Sequence, residues 1–344
     1  MMNEKLDCAT GATAAKDKPL LAVTVFTATY NRAHTLERVY ESLKAQTFRN
    51  FEWLVVDDGS TDNTQAVIKK WQQEAGFSIR YIWQEHAGKH FVYNRGVREA
   101  QGEYFAEVDS DDALKSNALE RAHHHWQQIP AAARNGYFAI LFFCEDEKGN
   151  LVGATFPEEV VDYDYRTFNY SRHYRCEKWR CIRTSVLRQY PFTEEVKDSY
   201  VPESIVFCEM AKTYKARFSN EVLRIYYQDV PSIMRQPVHP MRNLEGLRFA
   251  LLYSLNNDLD FFWRRPLDFV RKAMNFARFS THFQISLRKQ YAALDGKWSR
   301  LLWVMMMPLA MVAFCLDLAR GNTIEAARRA REAASIASKS QLVR

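Results

Sequence analysis

No glycine-rich phosphate loop occurs in the 344 residues: there is no G-x-x-x-x-G-K-[ST], and no G-x-G-x-x-G follows the first apolar strand, where Ala28-Thr29-Tyr30-Asn31 stands instead. P-loop and classical dinucleotide-binding enzymes are therefore not supported. The six cysteines, Cys8, Cys144, Cys176, Cys181, Cys208 and Cys315, contain no Cys-x-x-Cys pair and no partnered histidines of zinc spacing, which suits a reducing cytoplasm. Residues 1–19, MMNEKLDCATGATAAKDKP, carry acids and no apolar segment of signal-peptide length, so a short flexible leader is expected there. No internal repeat, low-complexity tract or Gly/Pro-rich linker divides the chain.

What is present has a clear rhythm over residues 20–114. LLAVTVFTATY and FEWLVVDD read as strands, and between them AHTLERVYESLKAQ puts Leu36, Val39, Tyr40 and Leu43 on one helical face. A helix from Thr64, the strand SIRYIWQ, the helix FVYNRGVREA and the strand YFAEVD follow. This β-α-β-α-β-α-β order predicts a mostly parallel sheet with its site at the carboxyl ends of the strands. Residues 115–230 begin with the helix SNALERAHHHWQQI and the strand YFAILFFC and read as an α+β continuation of the same domain. The expected organisation is a leader over 1–19, a catalytic α/β domain over 20–230 and a helical, basic extension over 231–344.

Charge is unevenly distributed. From Arg264 to the end there are fifteen Lys and Arg against five Asp and Glu, a balance of +10, so the first 263 residues carry −4 of the total of +6. Within the extension, Leu301 to Leu316 holds sixteen residues without a charge. A helix of that length spans roughly 24 Å, short of a hydrocarbon core of roughly 30 Å, and Pro308 is expected to interrupt it. Basic helices interleaved with Phe269, Phe276, Phe279 and Phe283 suit the face of an anionic membrane, with burial against the catalytic domain or a second subunit as the alternative.

Three acids, Asp109, Asp111 and Asp112, follow the strand YFAEVD within four positions. Neighbouring like charges repel, and a divalent cation shared with substrate phosphates is the common reason to gather them. A calcium loop requires Gly where Leu114 stands. The remaining metal reading is Asp109-Ser110-Asp111, a D-x-D that holds an ion against a diphosphate. The second strand ends in VVDDGSTD, bringing Asp57 and Asp58 to the rim, with Gly59 for the tight exit. The first ends in Thr29-Tyr30-Asn31-Arg32, where a ring can stack on a base and a guanidinium can meet phosphate. His123, His124 and His125 project about 100 degrees apart on a helix and cannot converge on one ion.

TYNR, SLKAQTFRNFEWLVVDDGSTDNT and HAGKHFVYNRGVREAQGEYFAEVDSDD, in this order and spacing, resemble glycosyltransferase family 2, the inverting nucleotide-sugar enzymes of the GT-A fold. The resemblance is dense over about 21–114 and weaker to about 228. It implies that Asp58 reads the nucleobase, that Thr29 and Tyr30 line the nucleoside, that Lys89 and Asn94 border the nucleotide, and that Asp109 and Asp111 meet donor and metal, Mn2+ or Mg2+, with Asp111 the direct ligand. It also implies a catalytic base at Glu203 in VPESIVFCEMAKTYKARFSNEVLRIYY. There the family's second acid is replaced by Ser204, which leaves Asp198 and Glu195 as substitutes. The segment EKWRC, Glu177 to Cys181, either lines an acceptor pocket or packs Trp179 in the core.

The function expected is inverting transfer of a sugar from a nucleotide diphosphate to an acceptor hydroxyl, in surface-polysaccharide or lipid-linked glycan assembly. No Q-x-x-R-W segment or series of spanning helices marks a processive synthase. The alternatives are a sugar nucleotidyltransferase, which would want a Gly-rich basic first loop, and a nucleotide-sugar-binding scaffold without catalysis. The expected partners are the donor, a glycan or lipid-linked acceptor and the anionic membrane, not nucleic acid. The expected location is the cytoplasm or the cytoplasmic face of the membrane.

Overall fold

The structure is a computed structural model and describes residues 21–171, 177–197, 200–229, 241, 243–327 and 329. The leader 1–19, Cys176, Asp198 and most of the last basic segment lie outside the described residues. The alternation predicted from the sequence is present as β1 (Leu21–Thr29), α1 (Leu36–Lys44), β2 (Phe51–Asp57), α2 (Thr64–Glu74), β3 (Ser78–Trp83), α3 (Lys89–Glu99) and β4 (Gly102–Glu107). Then come β5 (Ala113–Leu114), α4 (Ala118–Gln128), β6 (Tyr137–Asp146), β7 (Val160–Tyr163), β8 (Lys178–Arg183) and β9 (Lys215–Tyr226). Among the described residues the nine strands form one sheet in the order β3-β2-β1-β4-β8-β6-β9-β5, with β7 also paired to β9. β1 is parallel to β2 and β4, and β2 to β3. β8 runs antiparallel to both β4 and β6.

The strands are apolar on both faces because both faces are covered. Trp53 and Val55 point into a layer with Val39, Ile68 and Leu119. Leu54 and Val56 point the other way, to Phe26, Val92 and Phe105. The chain order reverses at β1, which lies between β2 and β4, and in open α/β sheets such a switch point opens a crevice at the strand ends.

The triple histidine diverges as helix geometry requires. His123 stacks on Phe48, His124 meets Gln128, and buried His125 sets Nε2 2.7 Å from Glu221 of β9. Arg121 grips the same carboxylate from α4, at 2.7 and 2.8 Å. The bonds from Arg121, against some burial and with help from His125, hold Glu221 down to about 2, from an ordinary value of 4.5. A depressed carboxylate stabilises the fold above its unfolded pKa and loses that contribution as pH falls through the folded one. The melting temperature of Glu221→Gln should thus trail the wild type at pH 7, with the gap closing between pH 5 and pH 2. A gap that stays constant over this range would remove the linkage.

The extension folds as Leu244–Asn257, a 3-10 turn at Leu259–Arg264, then helices Pro266–His282, Leu287–Ala292 and Lys297–Ala319. Its core of Leu255, Phe269, Phe276, Leu302 and Trp303 admits Tyr170 from the sheet domain. The Tyr170 hydroxyl donates to Asp258 at 2.7 Å, and Lys272 donates to Tyr170 at 3.0 Å. Pro308 does not interrupt the apolar helix as expected; it lies inside a continuous run of 23 residues. Proline in a helix interior removes one hydrogen bond without necessarily ending the helix.

Candidate active site

The rim at the ends of β1, β2 and β4 is built by loops that lock to one another. Asn31, in the left-handed region at φ 53°, accepts the Thr61 backbone N–H at 2.8 Å and the Asp62 N–H at 3.3 Å. Its own N–H donates to Ser60 Oγ at 2.8 Å. Gly59 sits at φ 88°, and a Cβ there would lie 2.9 Å from the His86 backbone nitrogen, so the close approach of the two loops requires glycine.

Asp58 is buried, and its carboxylate is occupied by its own chain: Ala87 and Gly88 N–H each donate at 2.9 Å, and His86 Nδ1 lies at 2.9 Å. Burial pushes this carboxyl up, but the bonds from His86, Ala87 and Gly88 prevail and hold it below its ordinary value. Asp58 thereby fixes the loop from β3 to α3. Tyr30, half-exposed, stacks on His86 with centroids 4.5 Å apart. Thr29 is buried, and its hydroxyl has no hydrogen-bond partner among the described residues. Asn94 is buried away from the rim, donating to Phe192 O and Glu194 and accepting from Phe192 N.

Lys89, the first residue of α3, is where the site converges. Its ammonium lies 3.1 Å from each of Glu107, Asp109 and Glu203. Burial opposes its charge, but Asp109, Glu107 and Glu203 hold its pKa well above the ordinary value. Arg180 reaches Glu203 at 3.4 Å, and the buried Arg224 lies 2.9 Å from Asp112 and 3.5 Å from Asp109. Burial raises Asp109, yet Lys89 and Arg224 carry it well below the usual carboxylate range. Glu203 is likewise lowered by Lys89 and Arg180 against burial. Burial first, then the Glu203 charge, pushes Glu107 up to about 7, and burial with Asp109 and Asp111 nearby does the same to Asp112 against Arg224.

Asp111 stands at the edge of this cluster, 3.6 Å from Arg32, and is raised by burial and then by Asp109. Among the described residues no three His, Cys, Asp or Glu side chains are grouped to hold a metal by themselves. An ion shared with a diphosphate needs only one or two carboxylates from the protein, and Asp111, partly exposed beside Asp109 at the edge of the cluster, fits that need.

The sequence motifs thus supplied Arg32, Lys89, Asp109, Asp111 and Glu203, which meet here, while Asp58, Tyr30 and Thr29 form the neighbouring rim. Glu107, Arg180 and Arg224 were not recognised from the sequence. Charged residues inside otherwise apolar strands were the available signal, in YFAEVD, KWRCIR and EVLRIY. From EKWRC, Trp179 is fully buried and donates to Glu107 O at 3.0 Å, so that residue packs the core, and it is Arg180 that faces the site. Glu195 is not among the residues that meet at Lys89.

A parallel sheet with a charged crevice at its switch point, extended by antiparallel strands, is the GT-A fold of nucleotide-sugar transferases. Residues 24–190 match the family model Glycosyl transferase family 2. The match to an uncharacterized glycosyltransferase of Nostoc sp. is 39% identical over 101 residues, 29% of this chain and 31% of that protein. The chain thus spans less than a third of that relative. The GalNAc(5)-diNAcBac-PP-undecaprenol beta-1,3-glucosyltransferase of Campylobacter jejuni is 24% identical over 88% of this chain and 95% of its own length. Among solved structures, S. aureus TarS 1-349 in complex with UDP-GlcNAc superposes with a TM-score of 0.55 at 20% identity, covering 92% of each chain.

Proposed function

We propose that the chain transfers a sugar, with inversion, from a nucleoside-diphosphate donor to a hydroxyl of a lipid-linked or surface glycan. The observation that carries this is the convergence on Lys89 of Glu107, Asp109 and Glu203, a mixed-charge cluster in the crevice of a nucleotide-sugar fold. The likeness in fold to TarS with UDP-GlcNAc supports a nucleotide-sugar donor, and the full-length relative named for an undecaprenol-linked substrate supports a lipid-linked acceptor. In this reading Tyr30 and His86 offer an aromatic platform to the base, beside the loop held by Asp58. Arg32 and Lys89 face the diphosphate, where fixed positive charge stabilises the leaving group. Glu203, kept anionic by Lys89 and Arg180, accepts the acceptor's proton as its oxygen attacks the anomeric carbon.

Mn2+ or Mg2+ would be held by Asp111, with Asp109, and would neutralise charge developing on the departing diphosphate. Asp111→Asn should abolish metal-stimulated turnover and leave the melting temperature within a degree or two, because a partly exposed acid at a strand end contributes little to packing. Wild-type rates with saturating donor and metal would exclude Asp111 as a ligand. The activity itself is tested by release of nucleoside diphosphate from a panel of nucleotide sugars, with and without Mn2+ and an undecaprenyl-linked acceptor. Binding of donor without release under any of these conditions would favour a scaffold. The same reading puts the enzyme at the cytoplasmic face of the membrane that holds such an acceptor.

A further inference from the structure

We infer that the helix Lys297–Ala319 is a docking surface that lies in the plane of an anionic bilayer, held there by its outer face and not passing through it. At 23 residues the helix is about 34 Å long, enough to cross a hydrocarbon core, so length does not decide its use. Its two faces do. The inner one is tied to the protein: Ser299 donates to Leu255 O at 2.6 Å, and Leu302, Trp303 and Ala310 are buried against the Pro266–His282 layer. Near its end, buried Asp317 receives Arg278 at 2.5 and 2.6 Å and His282 at 2.9 Å, so the acid on this helix is turned inward and neutralised. Pulling such a helix out to span a membrane would separate these groups.

The outer face is a stripe at helical spacing, Trp298, Leu301, Met305, Leu309, Val312 and Leu316, each between 47 and 63% exposed. It runs about 27 Å, and a contiguous apolar patch of this extent on a soluble protein commonly marks an interaction surface. Lys297 and Arg300 flank it at one end and Arg320 at the other, with Asp295 beside the first turn. Tyr291, itself exposed, is bound to the same layer through Trp303 and Arg300. An apolar stripe with a basic collar and aromatic neighbours matches the headgroup and acyl boundary of an anionic leaflet. A second copy of the chain is the poorer occupant, because it would bring two extensions of +10 together, whereas anionic lipid neutralises them.

The inference deepens the membrane placement proposed above, but its readout is binding, not sugar transfer. The full chain is floated with phosphatidylcholine vesicles and with mixed phosphatidylcholine–phosphatidylglycerol vesicles, and sized without lipid. Binding to the anionic vesicles should exceed that to neutral ones by about tenfold or more at low salt and fall as salt rises. Leu309→Glu with Val312→Glu should keep the thermal melt and the turnover with a water-soluble acceptor, and lose anionic-vesicle binding by about tenfold or more. Absent flotation, or equal flotation with neutral vesicles, would overturn the proposal. So would a concentration-dependent dimer, abolished by the double variant, that does not float. Intact turnover alongside failed flotation would sink the docking surface alone and leave the transferase reading standing.

Discussion

Lys89→Met should lose both activity and stability, and the stability loss should shrink as the pH is lowered. The ammonium lies 3.1 Å from Glu107, Asp109 and Glu203, and without it three carboxylates share a recess in which, among the described residues, Arg180 and Arg224 offset them. Removing one partner of a well-buried ion pair costs about 3–5 kcal/mol. Lys89 is 29% exposed, so solvent screens part of this, and a loss of about 2–3 kcal/mol at pH 7 is expected. In the variant the three carboxyls lose the charge that lowers them, so burial and their mutual repulsion push their pKa values up. Groups raised in this way destabilise the fold where they must ionise, and protonation relieves them as pH falls. Urea unfolding of wild type and variant at pH 7.5 and pH 5.5 measures this directly. A variant as stable as the wild type at both values would mean that the three acids are not held together by Lys89.

Glu203→Gln should lower kcat by at least about 100-fold with the donor KM nearly unchanged, since a general base contributes that much and acts only on the acceptor proton. Its pKa, lowered by Lys89 and Arg180 against burial, keeps it ionised at neutral pH, which a base requires. Glu107, pushed up to about 7 beside it, is the control. Glu107→Gln should retain most of the turnover if Glu203 is the base. The opposite pattern, with Glu203→Gln near normal and Glu107→Gln dead, would reassign the role. Single-turnover rates with saturating donor separate the chemical step from any change in donor binding.

How much of this was legible depends on how local each signal is. The apolar face Leu36, Val39, Tyr40 and Leu43 is set by the 3.6-residue period of one helix, and all four are buried as the pattern requires. The strand ends TYNR, VVDDGSTD and EVDSDD were visible because the polar residues follow directly on apolar runs, and consecutive parallel strands bring their ends to one side. Pro308 was misjudged because propensity prices one lost hydrogen bond, while packing of Leu302, Trp303 and Ala310 on the neighbouring helices holds the whole run together.

By itself, then, the sequence determined the alternating α/β order, the acids at the strand ends and the helical, basic character of the extension, all of which follow from spacings within a few residues. Tertiary structure alone decided which charges face one another. Lys89 meets Glu203 across 114 positions, and Arg180 and Arg224 enter the crevice only because β8 inserts antiparallel between β4 and β6 and β9 pairs parallel with β6. It also decided that Asp58 binds its own loop through Ala87 and Gly88 and that Asp317 turns inward to Arg278 and His282. The physical reason is common to all of these: a charge's effect depends on its distance from other charges and from water in three dimensions.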